Sequence, residues 1–331
     1  MALARGAGPQ EDLKAVETAY LLRRLVYGII SLVILSLIIF ACTHLLPGDA
    51  ASTILGESAT PEALAALRER LGLNQPLPVQ YAAWLLGVLH GDFGVSTTLN
   101  QPVFQLIAPN FANSMELAAM ALVAAALIAI PLGVVAAVRR GRPADAAILT
   151  GSYIGISIPD FVVAPVLIMV LAGPPLQLLP SSGYTPVSDS VPGWLSHIVL
   201  PTTALTVVLI AHVMRQTRSG MLDVLASDYI RTARLKGLPE RLVLWRHALR
   251  NGLTTSLSVL ALDIGYLFGS FVIVEEIFAY PGLGRLTVYA VANRDLPLVQ
   301  GTTLVIGAVY VLANLVADWL HGLLNPRVGH S

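Results

Sequence analysis

The stretch "LVYGIISLVILSLIIFACTHLL", residues 25–46, decides the fold class of this chain. It contains no Lys, Arg, Asp or Glu, and it is long enough to span a bilayer, whose hydrocarbon core needs about 20 apolar residues per helix. Across all 331 residues, 55% are hydrophobic and only 12% are charged, and the mean hydropathy is +0.72. A soluble domain carries about 25% charged residues. The sequence therefore predicts an integral membrane protein.

Six apolar windows come close to or reach the length of a transmembrane helix. They are residues 25–46, 115–138, 148–172, 198–214, 253–274 and 302–324. We therefore predict an all-α, polytopic protein with six transmembrane helices. Its predicted parts are an N-terminal segment (1–24), a first span (25–46), an extracytoplasmic helical segment (47–113), a core of five spans (115–324) and a C-terminal tail (325–331).

The basic residues predict the orientation, because cytoplasmic loops of membrane proteins carry the excess of Lys and Arg. One side of the predicted spans holds Arg5, Lys14, Arg23, Arg24, Arg139, Arg140, Arg142, Arg215, Arg218, Arg231, Arg234, Lys236, Arg241, Arg246, Arg250 and Arg327. The other side holds only Arg68, Arg70, Arg285 and Arg294. Both termini are therefore predicted to be cytoplasmic.

The predicted extracytoplasmic segment has helix signals of its own. Thr60 and Pro61 suit the cap and first residue of a short helix that ends at Gly72, and Pro78 opens a second helix that runs towards His90. We expect these helices to form a compact cap. A second loop, from Gly173, is rich in Pro, Gly and Ser and predicts irregular structure.

The block "DYIRTARLKGLPERLVLWRHALRN", residues 228–251, is highly charged although apolar windows flank it. Asp228 suits an N-cap and Gly237 a left-handed C-terminal cap, so a helix of about eight residues is predicted between them. Pro239 suits the first position of a second helix, which should end near Asn251. Tyr229, Ala233 and Gly237 would share one face, and that shallow face suits insertion into a partner's groove.

Three interpretations of this block are open. It could be a loop that only fixes topology, an amphipathic helix bound to anionic lipid, or a docking helix for another protein. Its length and its Gly and Pro punctuation favour the third, since so short a helix is marginal unless it packs against something.

Acidic residues at membrane depth suggest a translocation pathway, because intramembrane carboxylates are costly and face a cavity or a partner. Asp160 lies in the third predicted span and Asp263 in the fifth, while Glu275 and Glu276 lie near the outer boundary. All four are candidate pathway residues, while the alternative for Asp160 and Asp263 is pairing with a polar neighbour or partner helix, and for Glu275 and Glu276 it is solvation at the membrane interface. Asp160 and Asp263 could also relay protons in an ion-coupled secondary transporter, which is the alternative function, although no inverted repeats support it.

The chain lacks the sequence motifs of the common nucleotide-binding and hydrolytic sites. It contains no G-x-x-x-x-G-K-[ST], no H-E-x-x-H and no G-x-S-x-G. We therefore expect a non-catalytic chain without a cofactor or metal of its own. The single cysteine, Cys42, excludes an intramolecular disulfide. Since 20 Lys and Arg balance 20 Asp and Glu, the net charge gives no sign of a nucleic-acid partner.

Segments along nearly the whole chain resemble, in order, the permeases of binding-protein-dependent ABC importers. Residues 215–251, "RQTRSGMLDVLASDYIRTARLKGLPERLVLWRHALRN", resemble the cytoplasmic EAA loop in its peptide/nickel-permease form. The other matching segments are "LLPGDAA", "LGLNQPLPVQYAAWLLGVLHGDFGVS", "PLGVVAAVRRGRPAD", "SIPDF", "LPSSGY", "IVEEIFAYPGLGRL", "DLPLVQG" and "NLVADWL". The EAA triplet falls on Arg231, Thr232 and Ala233, and the family glycine falls on Gly237. Arg231 replaces the usual Glu, as is common in the peptide branch.

The resemblance implies the type I ABC importer permease fold in a bacterial inner membrane. It implies a second homologous permease as a heterodimer partner, two ABC ATPase subunits that bind ATP and Mg, and an extracytoplasmic solute-binding protein. Peptides or related small solutes would then cross by alternating access. The segment 215–251 would couple this chain to the ATPases, through Asp228, Tyr229, Arg231, Thr232, Ala233, Arg234, Lys236 and Gly237.

Overall fold

The computed structural model describes residues 9–45, 51, 55, 60–70 and 72–324. Within these ranges it is helical, with one isolated β-bridge between Val95 and Pro102. The helices are α1 (Pro9–Leu45), α2 (Pro61–Arg70), α3 (Leu77–Leu89), α4 (Val103–Val138), α5 (Pro143–Ser157), α6 (Asp160–Leu167, continued by a π-helical turn at Ile168–Ala172), α7 (Val191–Leu225), α8 (Asp228–Leu235), α9 (Glu240–Ile277, with a π-helical turn at Val243–Ala248), α10 (Leu283–Ala292) and α11 (Leu296–Leu324).

Five of the described helices are long and apolar enough to cross a membrane, namely α1, α4, α7, α9 and α11. The pair α5 and α6 passes the same test together, and if the pair is one span the total is six. The prediction of an all-α polytopic protein is confirmed.

The third predicted span is not the continuous helix that residues 148–172 suggested. Pro143–Ser157 and Phe161–Ala172 meet at an angle of 105°. Pro159 causes the break, because a proline disfavours helical geometry in the residue before it. Ile158 is accordingly extended, with φ −98° and ψ 117°. A proline within the apolar window is a signal that could have predicted this bend.

Helix α7 lies at the centre of the bundle and packs against both α4 and α9. The main core joins Leu117 and Ala121 of α4, Leu205 of α7, and Leu267 and Phe271 of α9, all of them buried. Helix α1 is peripheral and packs along α11, where a β-carbon at Gly28 would lie 2.8 Å from Val311 Cγ1. The central helices therefore form a fixed core.

The bundle has two chemically different ends. We call the end that carries α8 and the α4–α5 turn the basic end, because Arg139, Arg140 and Arg142 lie in that turn. The opposite end carries α2, α3 and α10. There α3 is tied to α1 by a 2.8 Å hydrogen bond between Tyr81 and Ser36.

Candidate functional site

Helix α8 at the basic end begins and ends at defined caps. The structure places the N-cap at Ser227 and makes Asp228 the first helical residue, so the predicted cap at Asp228 is wrong by one position. The other end is a Schellman motif, in which Gly237 N–H donates to Arg234 C=O at 3.0 Å and Leu238 N–H donates to Ala233 C=O at 3.3 Å. Gly237 has φ +75°, a conformation that glycine adopts without steric cost.

The inner face of α8 packs on this chain's own helices. Ile230 is fully buried and Ala233 is 8% exposed, in a cluster with Ala137 of α4 and Met221 of α7. The prediction that Tyr229, Ala233 and Gly237 form one exposed face is therefore wrong for Ala233, which faces the bundle. Two buried side chains one turn apart hold the helix against the bundle.

Polar contacts join α8 to the start of α9. The Arg234 guanidinium donates to both Glu240 carboxylate oxygens, at 2.6 and 3.1 Å, and these hydrogen bonds raise the pKa of Arg234. Asn251 Nδ2 donates to the Tyr229 hydroxyl at 2.9 Å, and that hydroxyl lies 3.4 Å from His247 C=O. Helix α8 is thereby fixed to a transmembrane helix at two points.

The second helix of the charged block does not end near Asn251. It continues as α9 to Ile277 near the opposite end of the bundle. Apolar residues beyond Asn251 sustain the helix, and Gly252 does not stop it, because this glycine allows close packing on Met221 of α7. A displacement of α8 can therefore reach a membrane-spanning helix directly, through the short turn at Gly237 and the contacts of Arg234.

The outward surface around α8 combines basic and apolar side chains. Leu235 is 80% exposed and Trp245 is 68% exposed. The other exposed residues of this surface are Asp228, Tyr229, Arg231, Thr232, Arg234, Lys236, Gly237, Arg241 and Arg246. Large exposed apolar side chains rimmed by charge are typical of protein interaction sites.

A buried ion pair beside α8 was not predicted from the sequence. Arg218 of α7 donates to Asp145 of α5 through Nε at 2.7 Å and Nη2 at 2.9 Å, and Gly141 N–H donates to the same carboxylate at 3.0 Å. This bidentate pair fixes the α4–α5 turn to α7. Asp145 stands in the first turn after Pro143, but nothing in the sequence indicates its partner 73 residues further on.

The structure separates the two intramembrane acids. Asp160 is the first residue of α6, directly after the break, and its side chain lies outside the described part of the structure. Asp263 lies within α9 and is 6% exposed. Its Oδ1 lies 3.6 Å from His212 Nδ1 of α7, and its Oδ2 has no hydrogen-bond partner among the described residues.

The two adjacent glutamates differ sharply in environment. Glu275 is fully buried, where Ser114 donates to Oε1 at 2.5 Å and the Gly284 and Arg285 N–H groups donate to Oε2 at 2.8 and 3.2 Å. It thus caps the N-terminus of α10 rather than facing an open pathway. The side chain of Glu276 is 51% exposed and lies 3.9 Å from Arg285 Nε.

A second acidic group near the opposite end was missed by the sequence analysis. Glu116 of α4 accepts hydrogen bonds from Trp194 Nε1 at 2.6 Å and from the Tyr280 hydroxyl at 3.2 Å. Burial and the nearby Glu116 charge raise the pKa of Tyr280. This group joins α4, α7 and the turn after α9. Its partners are distant in sequence, so periodicity could not reveal it.

No group of three or more His, Cys, Asp or Glu side chains that could hold a metal ion occurs among the described residues. Taken together, the features of the site are those of helix packing. The chain is a multi-pass, all-helical membrane protein with a bent third span. At its basic end, α8 is linked to α9 and presents an exposed surface of basic and apolar side chains.

Comparison with known families identifies the class more closely. The family described as "Binding-protein-dependent transport system inner membrane component" matches residues 129–330, and its N-terminal counterpart matches residues 18–118. The chain belongs to this family and is a permease subunit of such a transport system. The importer resemblance stated from the sequence is confirmed.

Curated relatives cover almost the whole chain. A putative peptide transport system permease of Brucella abortus is 42% identical and covers 95% of this chain and 100% of its own length. A probable peptide ABC transporter permease of Sinorhizobium fredii is 40% identical, with 93% and 98% covered. The dipeptide transport system permease DppB of Escherichia coli is 36% identical, with 94% and 99% covered. Neither these relatives nor the family support the ion-coupled alternative.

A solved structure also matches. It is an amino acid ABC transporter crystallised with histidines, it covers 66% of this chain and 92% of its own, and it shares 16% identity with a TM-score of 0.45.

Proposed function

We propose that this chain is the non-catalytic permease subunit of an ATP-driven importer that carries peptides, by alternating access, from a binding protein into the cytoplasm of a bacterium. The relatives that cover 93–95% of the chain are peptide permeases by name, which supports the substrate class. ATP and Mg are bound by two ATPase subunits, and a second homologous permease completes the membrane part as a heterodimer. Both termini then lie in the cytoplasm, on the basic side.

The observation that carries the coupling role is the position of α8. Its inner face is fixed by buried Ile230 and Ala233, and its outer face exposes Leu235 and Lys236. We assign Asp228, Tyr229, Arg231, Thr232, Arg234, Lys236 and Gly237 to the contact with an ATPase subunit or to the shape of that contact. Ala233 supports the helix from behind.

The mechanism follows from the short turn at Gly237 that connects α8 to α9. When ATP draws the two ATPase subunits together, α8 moves with the subunit that holds it, and the Arg234–Glu240 pair passes that displacement to α9. Helix α9 packs on the central α7 through Leu267 and Phe271, so a displacement of α9 reaches the core. The pathway between the two permeases then opens to the other side of the membrane.

Reconstitution tests this proposal. The permease, the second permease, both ATPases and the binding protein are placed in proteoliposomes, and import of a labelled alanine peptide is measured with ATP and with a non-hydrolysable analogue. We expect import with ATP and no import with the analogue. Import by the two permeases without ATPase subunits, driven by a proton or sodium gradient, would overturn it.

A further inference from the structure

The least satisfied buried acid in the described structure is Asp263. Three other acids are buried to a similar degree, namely Asp145, Glu275 and Asp295. Each of those receives hydrogen bonds on both carboxylate oxygens. Asp263 has none on Oδ2, and its Oδ1 has His212 Nδ1 at 3.6 Å, which is longer than a hydrogen bond.

An unpaired carboxylate inside a membrane helix is costly, so its presence calls for a partner that arrives during function. Asp263 is not explained by packing, since an apolar residue would fill the same space without the cost of desolvating a carboxylate. The other three acids are explained by the turns and helix ends that they hold. Asp263 has no such role in the described structure.

The surroundings of Asp263 place it where three membrane segments meet. The α5 part of the broken third span packs on α7 beside His212, since a β-carbon at Gly155 would lie 3.9 Å from Ala211 Cβ. The α6 part contributes Ala164 to the core that contains Leu267, one helical turn beyond Asp263. A shift of α9 against these segments would therefore change the surroundings of Asp263.

The acid also lies close to an exposed face of the bundle. The His212 side chain is 35% exposed and Tyr266 is 40% exposed, and their ring centroids are 6.1 Å apart. Asp263 stands next to the His212 imidazole of this pair. A small shift of α9 relative to α7 would bring the carboxylate to that face.

The chemistry of the site selects the ligand. A single carboxylate with one imidazole offers too few oxygen atoms for a bare metal ion, which takes six or more ligands of that kind in calcium and magnesium sites. An ammonium group instead needs one strong acceptor and forms a charge-assisted hydrogen bond with it. Peptides, the substrate class proposed above, carry an α-ammonium group.

We propose that Asp263 binds the α-ammonium group of the peptide during its passage, and that the His212 imidazole stands next to the carboxylate while the site is empty. This inference rests on the proposed function and deepens it, because it names the group of the substrate that the membrane subunit contacts. In the present conformation the site is closed, since Oδ2 is buried. Movement of α9, which begins at the coupling segment, opens it.

The test separates charge from packing with two variants in the complete complex. Asp263→Asn keeps the shape and removes the charge, while Asp263→Glu keeps the charge and changes the shape. We expect Asp263→Asn to lower import of a labelled alanine peptide at least tenfold, with ATP hydrolysis stimulated by the binding protein unchanged within twofold. Asp263→Glu should keep at least a third of the import rate, and Asp189→Asn, an exposed acid at the opposite end, should match wild type.

Three results would overturn the proposal. The first is import by Asp263→Asn within twofold of wild type. Faster import by Asp263→Asn than by Asp263→Glu would count in the same way, because it would mean that the shape of the side chain matters and its charge does not. The second is loss of the second permease from Asp263→Asn on size-exclusion chromatography, which would make a residue of that subunit the partner. The third is a pH gradient that drives import without ATP and depends on Asp263. Import by the wild-type complex is read separately and tests the proposed function itself.

Discussion

Glu275 shows how one buried side chain can organise an end of the bundle. Its carboxylate collects the Ser114 hydroxyl and two backbone N–H groups at the start of α10, and Leu283 N–H donates in turn to Ser114 Oγ at 2.8 Å. The glycine before α10, Gly282, leaves the space that the carboxylate fills, since a β-carbon there would collide with Glu275. One acid thus joins residues that lie from 9 to 161 positions away in the sequence.

Glu275→Gln is therefore expected to destabilise the protein. The amide presents N–H donors where a backbone or hydroxyl donor now points, and each buried donor left unsatisfied costs about 1–3 kcal/mol. The melting temperature of the detergent-solubilised protein should fall. The matched control is Glu276→Gln, at an exposed neighbour, which should leave it unchanged; an equal effect of both variants would contradict the capping role.

Asp295 makes the stability of the protein depend on pH at the end of the bundle away from α8. It caps α11 through Leu298 N–H at 3.2 Å and accepts hydrogen bonds from Ser96 and Thr98. Burial alone would raise the pKa of Asp295, but these hydrogen bonds outweigh it and hold the pKa below 3.8, the ordinary value. Its stabilising contribution is therefore complete above 3.8 and is lost as the pH falls through the lower folded-state value.

We expect Asp295→Asn to remove this contribution. Wild type should melt at a higher temperature than the variant by a constant amount from neutral pH down to about pH 4, and the two melting temperatures should converge as the pH falls below 3.8. Melting curves of the solubilised protein over this range check the prediction. A constant difference between the two proteins at all pH values would show that the carboxylate charge is not responsible.

At the scale of elements, the C-terminal cap of α8 is the most sensitive point of the coupling segment. Gly237→Pro is incompatible with φ +75° and removes the N–H that donates to Arg234 C=O. We expect loss of ATPase association and at least a tenfold loss of import. Gly237→Asn is the matched control, because asparagine tolerates the left-handed conformation and no atom lies within 4 Å of the added carbon. Import by Gly237→Pro at the wild-type rate would show that this turn does not matter.

Much of the element structure was predictable from local signals. The caps around residues 60–72 and at Gly237 were read from Thr, Pro and Gly, and helices lie there. The long continuation of α9 is not predictable in this way, because Gly252 separates the charged stretch from the apolar stretch, and only the structure shows that the helix runs through this glycine, which packs on Met221. The inward face of α8 was also misassigned, since periodicity shows which residues share a face but not which face meets the bundle.

At the scale of the whole molecule, hydropathy sufficed for the fold class, whereas the sites depended on tertiary contact. The Asp145–Arg218 pair and the Glu116 group join residues far apart in sequence, and no single-sequence pattern places them together. Asp263 could be singled out by its depth. Only the structure shows that it lacks a partner on Oδ2 while the other buried acids are satisfied.

The orientation of the bundle is a further whole-molecule prediction. With Cys42 replaced by Ala, the variant Arg142→Cys, in the exposed α4–α5 turn of the basic end, should be labelled by a membrane-impermeant maleimide only in inside-out vesicles. A cysteine at Arg294, at the opposite end, should be labelled only in intact cells from which the outer barrier has been removed. The reverse pattern would place α8 on the wrong side of the membrane for any contact with ATPase subunits.

The central claim is that an ATPase subunit binds to α8, and photo-crosslinking tests this claim most directly. A photoreactive amino acid is placed at Leu235, which is 80% exposed on α8, and as a control at Val95, which is 55% exposed at the opposite end. In the assembled complex we predict a crosslink from position 235 to an ATPase subunit, with a yield that changes when ATP is added, and none from position 95. An assembled complex that shows no ATPase crosslink from position 235 would contradict the account.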